Sequence, residues 1–150
     1  MTVQTVMDSL REQGMEQLHT IPASASVAQA VATMAAKEIG ALVVSTEDQL
    51  AAGIFTERDV MLRVVLPGLD AAKTPLSLVM TRDVRFVSPG TTLEAALALM
   101  VLRRHRHLLV MDGPHIHGLV SMRDLAYHLV LHGEGRFEAA VRAAGAGTAS

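Results

Sequence analysis

The chain has no cysteine and no tryptophan, and aromatic residues fill only 3% of its 150 positions. Without cysteine there is no disulfide scaffold and no thiolate zinc site of the finger or ribbon type. The same absence fits a cytoplasmic address. An excess of one charge is also missing. The formal net charge is −2, so the molecule as a whole offers no electrostatic footprint for nucleic acid or anionic lipid. The longest apolar stretch, Leu93 to Leu102, contains Glu94 and stops at Arg103, far short of the roughly 20 residues of a membrane span. The first residues have neither the basic start nor the unbroken apolar core of a secretory signal. Catalytic signatures are lacking too: no Gly-x-Ser-x-Gly elbow, no phosphate-loop Gly-x-x-x-x-Gly-Lys, no His-Glu-x-x-His. These absences predict a soluble, cytoplasmic, non-enzymatic protein that contacts neither membrane nor nucleic acid.

What is present is apolar. Half the residues are hydrophobic and 19% are charged, the balance of a compact globular protein with a real core. The length suits one ordinary domain or two small ones sharing a core.

An internal repeat organises the chain. Ile21 to Met34 lines up with Val87 to Met100, so that Val27, Ala30, Val31 and Met34 meet Leu93, Ala96, Leu97 and Met100. The match continues through Ala41–Val44 against His107–Val110 and, after a one-residue deletion, Gly53–Asp59 against Gly118–Asp124. A fainter echo sets Val6-Met7-Asp8 beside Val79-Met80-Thr81, and the extra residues around Gly14 read as a loop. Leu66-Pro-Gly at one end and Pro75 at the other mark a linker that breaks any helix arriving from Val60–Val65. The expected organisation is therefore a first repeat over 1–68, a linker over 69–78, a second repeat over 79–132 and a tail over 133–150 that extends a short helix.

Within each copy the hydrophobic period changes in a fixed order. Val27, Ala30, Val31 and Met34 lie on one helical face behind Ser24 and Ser26 as caps. Ala41–Ser45 and Leu50–Phe55 flank a polar turn, as Leu108–Met111 and Ile116–Val120 flank Asp112-Gly-Pro, the pattern of hairpins. A second helix begins at Thr56 or Ser121. Each unit reads as strand, helix, strand, strand, helix, a mixed α/β (α+β) fold. The helix after Thr56 is apolar nearly all round, with only Arg63 left to face water, and such a helix needs cover on both sides. The second cover is either the partner repeat or another chain, and a homodimer is expected.

The strongest local signals are Thr56-Glu-Arg-Asp59 and Ser121-Met-Arg-Asp124, each where a strand hands over to a helix. Read structurally, a hydroxyl with a carboxylate three residues on is a capping box, which satisfies free amides and involves no ligand. Three features argue for more. The motif occurs twice at equivalent places, each has Gly three residues before the hydroxyl, and each carries Arg beside the acid. A helix N-terminus attracts anions, and the hydroxyl and Arg add donors for phosphate. The Asp suits the adjacent hydroxyls of a ribose. Together these groups fit a nucleotide.

At these residues the chain resembles the cystathionine β-synthase (CBS) domain family, whose tandem pair is a Bateman module. The likeness covers roughly residues 1 to 132 and includes Ile39-Gly-Ala-Leu-Val-Val44 and both Gly-apolar-apolar-Ser/Thr-x-Arg-Asp motifs. The resemblance implies two βαββα repeats packed sheet to sheet about a pseudo-twofold axis, with two clefts that take AMP, ADP or ATP and, less often, S-adenosylmethionine or a dinucleotide such as NAD. It also implies residue roles: Asp59 and Asp124 on ribose, Thr56 and Ser121 on phosphate, Arg58 and Arg123 close to it. The base would rest near Ile21 and Ala41 in one copy and near Val87 and His107 in the other. One departure is Leu109, where the family often has Pro. The implied role is a regulator that answers its nucleotide through dimer geometry or an unidentified protein partner.

Two further clusters have simpler readings. Arg103-Arg-His-Arg-His107 reads as a solvated helix end, or as a source of positive potential that makes the second site differ from the first. His105, His107, His115 and His117 raise a metal hypothesis, but a turn at Asp112-Gly-Pro puts His107 at the far end of its strand from His115, and His105 is assigned to the helix. No metal site and no cofactor are expected. The competing readings are a structural dimerisation module with vestigial clefts and a histidine-based metal-binding protein.

Overall fold

The computed structural model of the chain describes residues 4–14, 18–132 and 142–145. Helix α1 (Val6–Glu12) is followed by β1 (Thr20–Pro22), α2 (Val27–Lys37), β2 (Ala41–Ser45) and β3 (Gly53–Thr56). Then comes α3, one α-helical turn at Glu57–Asp59 that runs on as a π-helix over Val60–Val65. A 3-10 turn at Leu76–Leu78 leads to β4 (Phe86–Val87), α4 (Leu93–Arg103), β5 (His107–Asp112), β6 (His115–Ser121) and α5 (Met122–His132). The order strand, helix, strand, strand, helix thus occurs twice. Each copy forms a three-stranded sheet, β1-β2-β3 or β4-β5-β6, with a parallel first pair and an antiparallel hairpin. No helix among the described residues is long and apolar enough to cross a membrane. Residues 142–145 are helical, and the rest of the expected tail lies outside the described residues.

Local chemistry fixes the element ends. Ser26 accepts from the Gln29 amide while the Gln29 side chain accepts from the Ser26 amide, and Thr92 caps α4 through the Ala95 amide. Helices α2 and α4 end on left-handed residues at equivalent positions, Glu38 (φ 54°) and Arg104 (φ 57°). His105 therefore lies beyond α4 and not on it, because the chain reverses at Arg104. The second hairpin turns at Gly113-Pro114, with Gly113 at φ 58°. Strand β3 starts at Gly53, later than the apolar run from Leu50 suggests, since Leu50 is exposed in the turn. Leu109, which stands where the resembled family often has proline, donates its amide to Arg85 O at 2.9 Å, a ladder bond that proline cannot make.

The two compact units do not follow the order of the chain. One holds residues 18–84; the other joins α1 to the chain from Arg85 onward. Leu76, Val79 and Met80 enter a core with Ile21, Val27, Leu42 and Phe55. Val6, Met7 and Leu10 enter a core with Val87, Leu93, Leu108 and Leu125. Each segment leading into a repeat thus completes the core of the other copy. Hydrogen bonds set the equivalence: Val6 N to Thr91 O and Leu93 N to Gln4 O at 2.9 and 3.2 Å correspond to Leu76 N to Ala25 O and Val27 N to Thr74 O, both 2.9 Å. The counterpart of Val6 is Leu76, not Val79, which corrects the register of the fainter echo. Residues 69–78, read as a linker, pack onto α2, with Ala71 O and Thr74 O accepting from the amides of Ala28 and Val27.

Candidate functional site

The first copy of the motif is tightly tied. Thr56 Oγ1 accepts from the Asp59 amide at 3.2 Å, and Asp59 Oδ2 accepts from the Thr56 amide at 3.0 Å, so the capping box is complete. Asp59 also accepts from Thr81 Oγ1 at 3.1 and 3.3 Å, and Arg63 Nε lies 3.5 Å from its Oδ1. The carboxylate is buried, with 6% of the residue exposed. Arg63 does more than face water, since its Nη1 donates to Met80 O at 3.0 Å and binds α3 to the segment that carries Thr81. Thr81 was not marked by the motif, because it depends on which segment crosses the end of β3, whereas Arg63 stands four residues after Asp59 on the same helix.

That crossing also explains the glycine before the hydroxyl. Ile54 and Thr81 exchange two amide–carbonyl bonds of 2.8 Å. A Cβ on Gly53 would stand 2.9 Å from Thr81 O and 2.8 Å from Met80 Sδ. In this copy the glycine serves backbone approach and not a ligand. Gly53→Ala is expected to lower stability by about 1–3 kcal/mol in urea unfolding, the usual cost of overpacking against atoms that cannot move aside.

The second copy is looser. Asp124 Oδ2 accepts from the Ser121 amide at 2.9 Å and Ser121 Oγ from the Asp124 amide at 3.0 Å. Among the described residues none equivalent to Thr81 reaches this carboxylate, and Asp124 Oδ1 has no hydrogen-bond partner. Instead, Gln13 Nε2 from the α1 end donates to the Asp124 main-chain carbonyl at 2.9 Å. Asp124 is half-buried. Arg58 and Arg123 are exposed, and neither makes a hydrogen bond or ion pair among the described residues.

Strand register decides which of the remaining expected residues meet. Ala41 is paired with Thr56, and His107 with Ser121, in equivalent antiparallel positions. Ile21 pairs with Val44 and Val87 with Val110 on the opposite edges, some 10 Å along the strand from Ala41 and His107 at about 3.3 Å per residue. Ile21 and Val87 are buried in their cores. Ile21 also lines a groove of about 410 Å³ with Pro22, Ser24, Ala25 and Gln29. A second groove of about 430 Å³ runs past Val31, Met34, Glu38, Glu57 and Val60, and neither groove is lined by Thr56, Arg58 or Asp59. His107 and His115 stay apart, the first paired with Ser121 and the second with Asp112 at the turn, while the rings of His115 and His117 meet edge to face with centroids 4.5 Å apart. Elsewhere in this unit, burial pushes the His128 imidazole below its usual pKa, against the pull of the nearby Glu12 carboxylate.

Comparison with known proteins fits this duplicated architecture. The CBS domain family model matches residues 14–66 and again 76–131. The chain belongs to the CBS-domain family. The CBS domain-containing protein YhcV of Bacillus subtilis is 31% identical over 120 residues, covering 80% of this chain and 84% of that protein. The CBS domain-containing protein CBSCBSPB1 of Arabidopsis thaliana is 31% identical over 111 residues, 74% of this chain but 20% of that protein, so the chain spans about a fifth of that relative. Among solved structures, a protein with CBS domains from Burkholderia ambifaria superimposes with a TM-score of 0.81 at 36% identity, covering 86% of this chain and 96% of that one. None of these three names states a catalytic activity.

Proposed function

We propose that this CBS pair is a cytoplasmic regulator, not an enzyme, that binds AMP, ADP or ATP at the start of α5. The supporting observation is the difference between its two aspartates. Asp59 is buried and engaged on both oxygens, whereas Asp124 holds the Ser121 amide with one oxygen and keeps the other open. A carboxylate oxygen in that state can accept from the vicinal hydroxyls of a ribose. Ser121 Oγ and the exposed Arg123 guanidinium then lie within the same first turn, where phosphate oxygens find a hydroxyl, a fork of N–H donors and the positive end of the helix dipole. His107, across the strand pair from Ser121, adds to the second site alone. S-adenosylmethionine and NAD share the ribose and would compete for the same carboxylate. Thr56, Arg58 and Asp59 take the lesser part because their acid is already used.

Regulation requires that the ligand favour one of two states. The exposed apolar residues of α3 and its continuation, Met61, Leu62, Val65 and Leu66, at 54%, 40%, 68% and 76% exposure, suit a second copy of the chain as the element that the nucleotide repositions, with a protein partner reading the change. Val65→Asp with Leu66→Asp is expected to convert a dimer to a monomer in sedimentation velocity, with the far-ultraviolet circular dichroism unchanged.

A structural dimerisation module is the second reading, favoured by the capping boxes that engage both aspartates. Thermal melting with AMP, ADP and ATP separates the two. A ligand at 100 times its dissociation constant stabilises by about 2.7 kcal/mol; no shift with any of the three, together with a ligand-free dimer, supports the dimerisation module instead.

A further inference from the structure

The unit that contains α1 and α5 carries a second cluster, remote in sequence from both motifs. His128 and His132 are four residues apart on α5, so their rings share one helical face, with centroids 4.6 Å apart. The end of α1 meets that face. Glu12 Oε1 lies 2.6 Å from His132 Nε2, and Glu12 Oε2 lies 2.7 Å from His128 Nδ1. Ligand atoms from all three residues fall within 4.8 Å of one another, and among the described residues no other trio of such groups does so. The His128 side chain is 3% exposed while those of Glu12 and His132 are 34% and 41% exposed. One ligand is therefore held by the fold and two are reachable from solvent.

The hydrogen bonding leaves one buried ring nitrogen without a partner. His128 Nε2 lies 2.7 Å from Gln4 Oε1. An amide oxygen only accepts, so Nε2 carries a proton there, and in the neutral ring Nδ1 then presents a lone pair. That lone pair faces the Glu12 carboxylate, another acceptor. Despite the 2.7 Å approach, buried His128 Nδ1 has no hydrogen-bond partner. Two facing acceptors repel unless a proton or a metal ion lies between them.

We propose that Glu12, His128 and His132 form a binding site for a divalent transition metal of the zinc type. His128 ligates through Nδ1, His132 through Nε2 and Glu12 through its carboxylate, with water completing a tetrahedron. Two imidazoles and a carboxylate suit zinc, cobalt, nickel or copper and not magnesium or calcium. Metal–ligand distances of about 2.0–2.1 Å separate tetrahedral ligands by roughly 3.3 Å, so the present contacts must open by about 0.7 Å, a movement the exposed Glu12 and His132 side chains can make. Gln4 orients the His128 ring from outside the coordination sphere. The ion ties α1 to α5 within one unit.

The test uses tag-free, EDTA-treated full chain titrated with zinc by calorimetry and with cobalt by visible absorption. One zinc ion per chain, the strong visible absorption of four-coordinate cobalt and a zinc-dependent rise in melting temperature are expected. His132→Ala and Glu12→Gln, both at exposed positions, lower zinc affinity more than about tenfold, and His115→Ala leaves it unchanged. Absence of binding to the wild type, or binding that survives His132→Ala and Glu12→Gln, overturns the proposal.

Discussion

Leu76→Ala lowers the stability of the protein by about 2–5 kcal/mol, the cost of a cavity where a core side chain stood, although residue 76 lies in what the sequence marks as a linker. Leu76 is fully buried among Val27, Leu42 and Phe55, and its amide donates to Ala25 O. Two positions on, Leu78 is 75% exposed, and Leu78→Ala is expected to change stability by less than about 0.5 kcal/mol. Urea unfolding of the pair, read as a change in midpoint at constant slope, measures the difference. Equal effects at 76 and 78 would mean that the end of this linker segment is not part of the first repeat's core.

The second large effect separates the two aspartates. Asp124→Asn keeps an acceptor oxygen for the Ser121 amide but replaces the open oxygen by a donor, which cannot accept from a ribose hydroxyl. Loss of a hydrogen bond to a charged group costs about 1.5–3 kcal/mol, or one to two decades of nucleotide affinity, with little change in melting temperature. Asp59→Asn has the opposite signature. It disturbs the bonds from the Thr56 amide and Thr81 and the ion pair with Arg63, so stability falls while nucleotide affinity at the second site holds. Calorimetric titration beside thermal melting reads both quantities. Equal losses of affinity in the two variants would place ribose in both copies.

The repeat, the order of elements and the two hairpins were legible because each rests on hydrophobic period and short-range turns, which a single segment carries within itself. What was not legible depends on partners far away in the chain. Val6 and Leu76 look like ordinary apolar residues, and nothing in their own surroundings says that each enters the core of the other repeat. Gly53 looked like part of a ligand motif until Thr81 was seen to cross beside it. The difference between Asp59 and Asp124 follows in part from the same crossing, since Thr81 reaches only the first, and in part from Arg63 one helical turn after Asp59. Glu12 gave no signal at all. The His128–His132 spacing was visible, yet its meaning appears only where α1 meets α5.

The most direct measurement is the structure of crystals grown with AMP or ATP. The account predicts ribose hydroxyls on Asp124 Oδ1, phosphate beside Ser121 and Arg123, and Asp59 still bound to the Thr56 amide and Thr81. Crystals at saturating nucleotide in which Asp124 contacts only the Ser121 amide, with no ribose beside it, would contradict it.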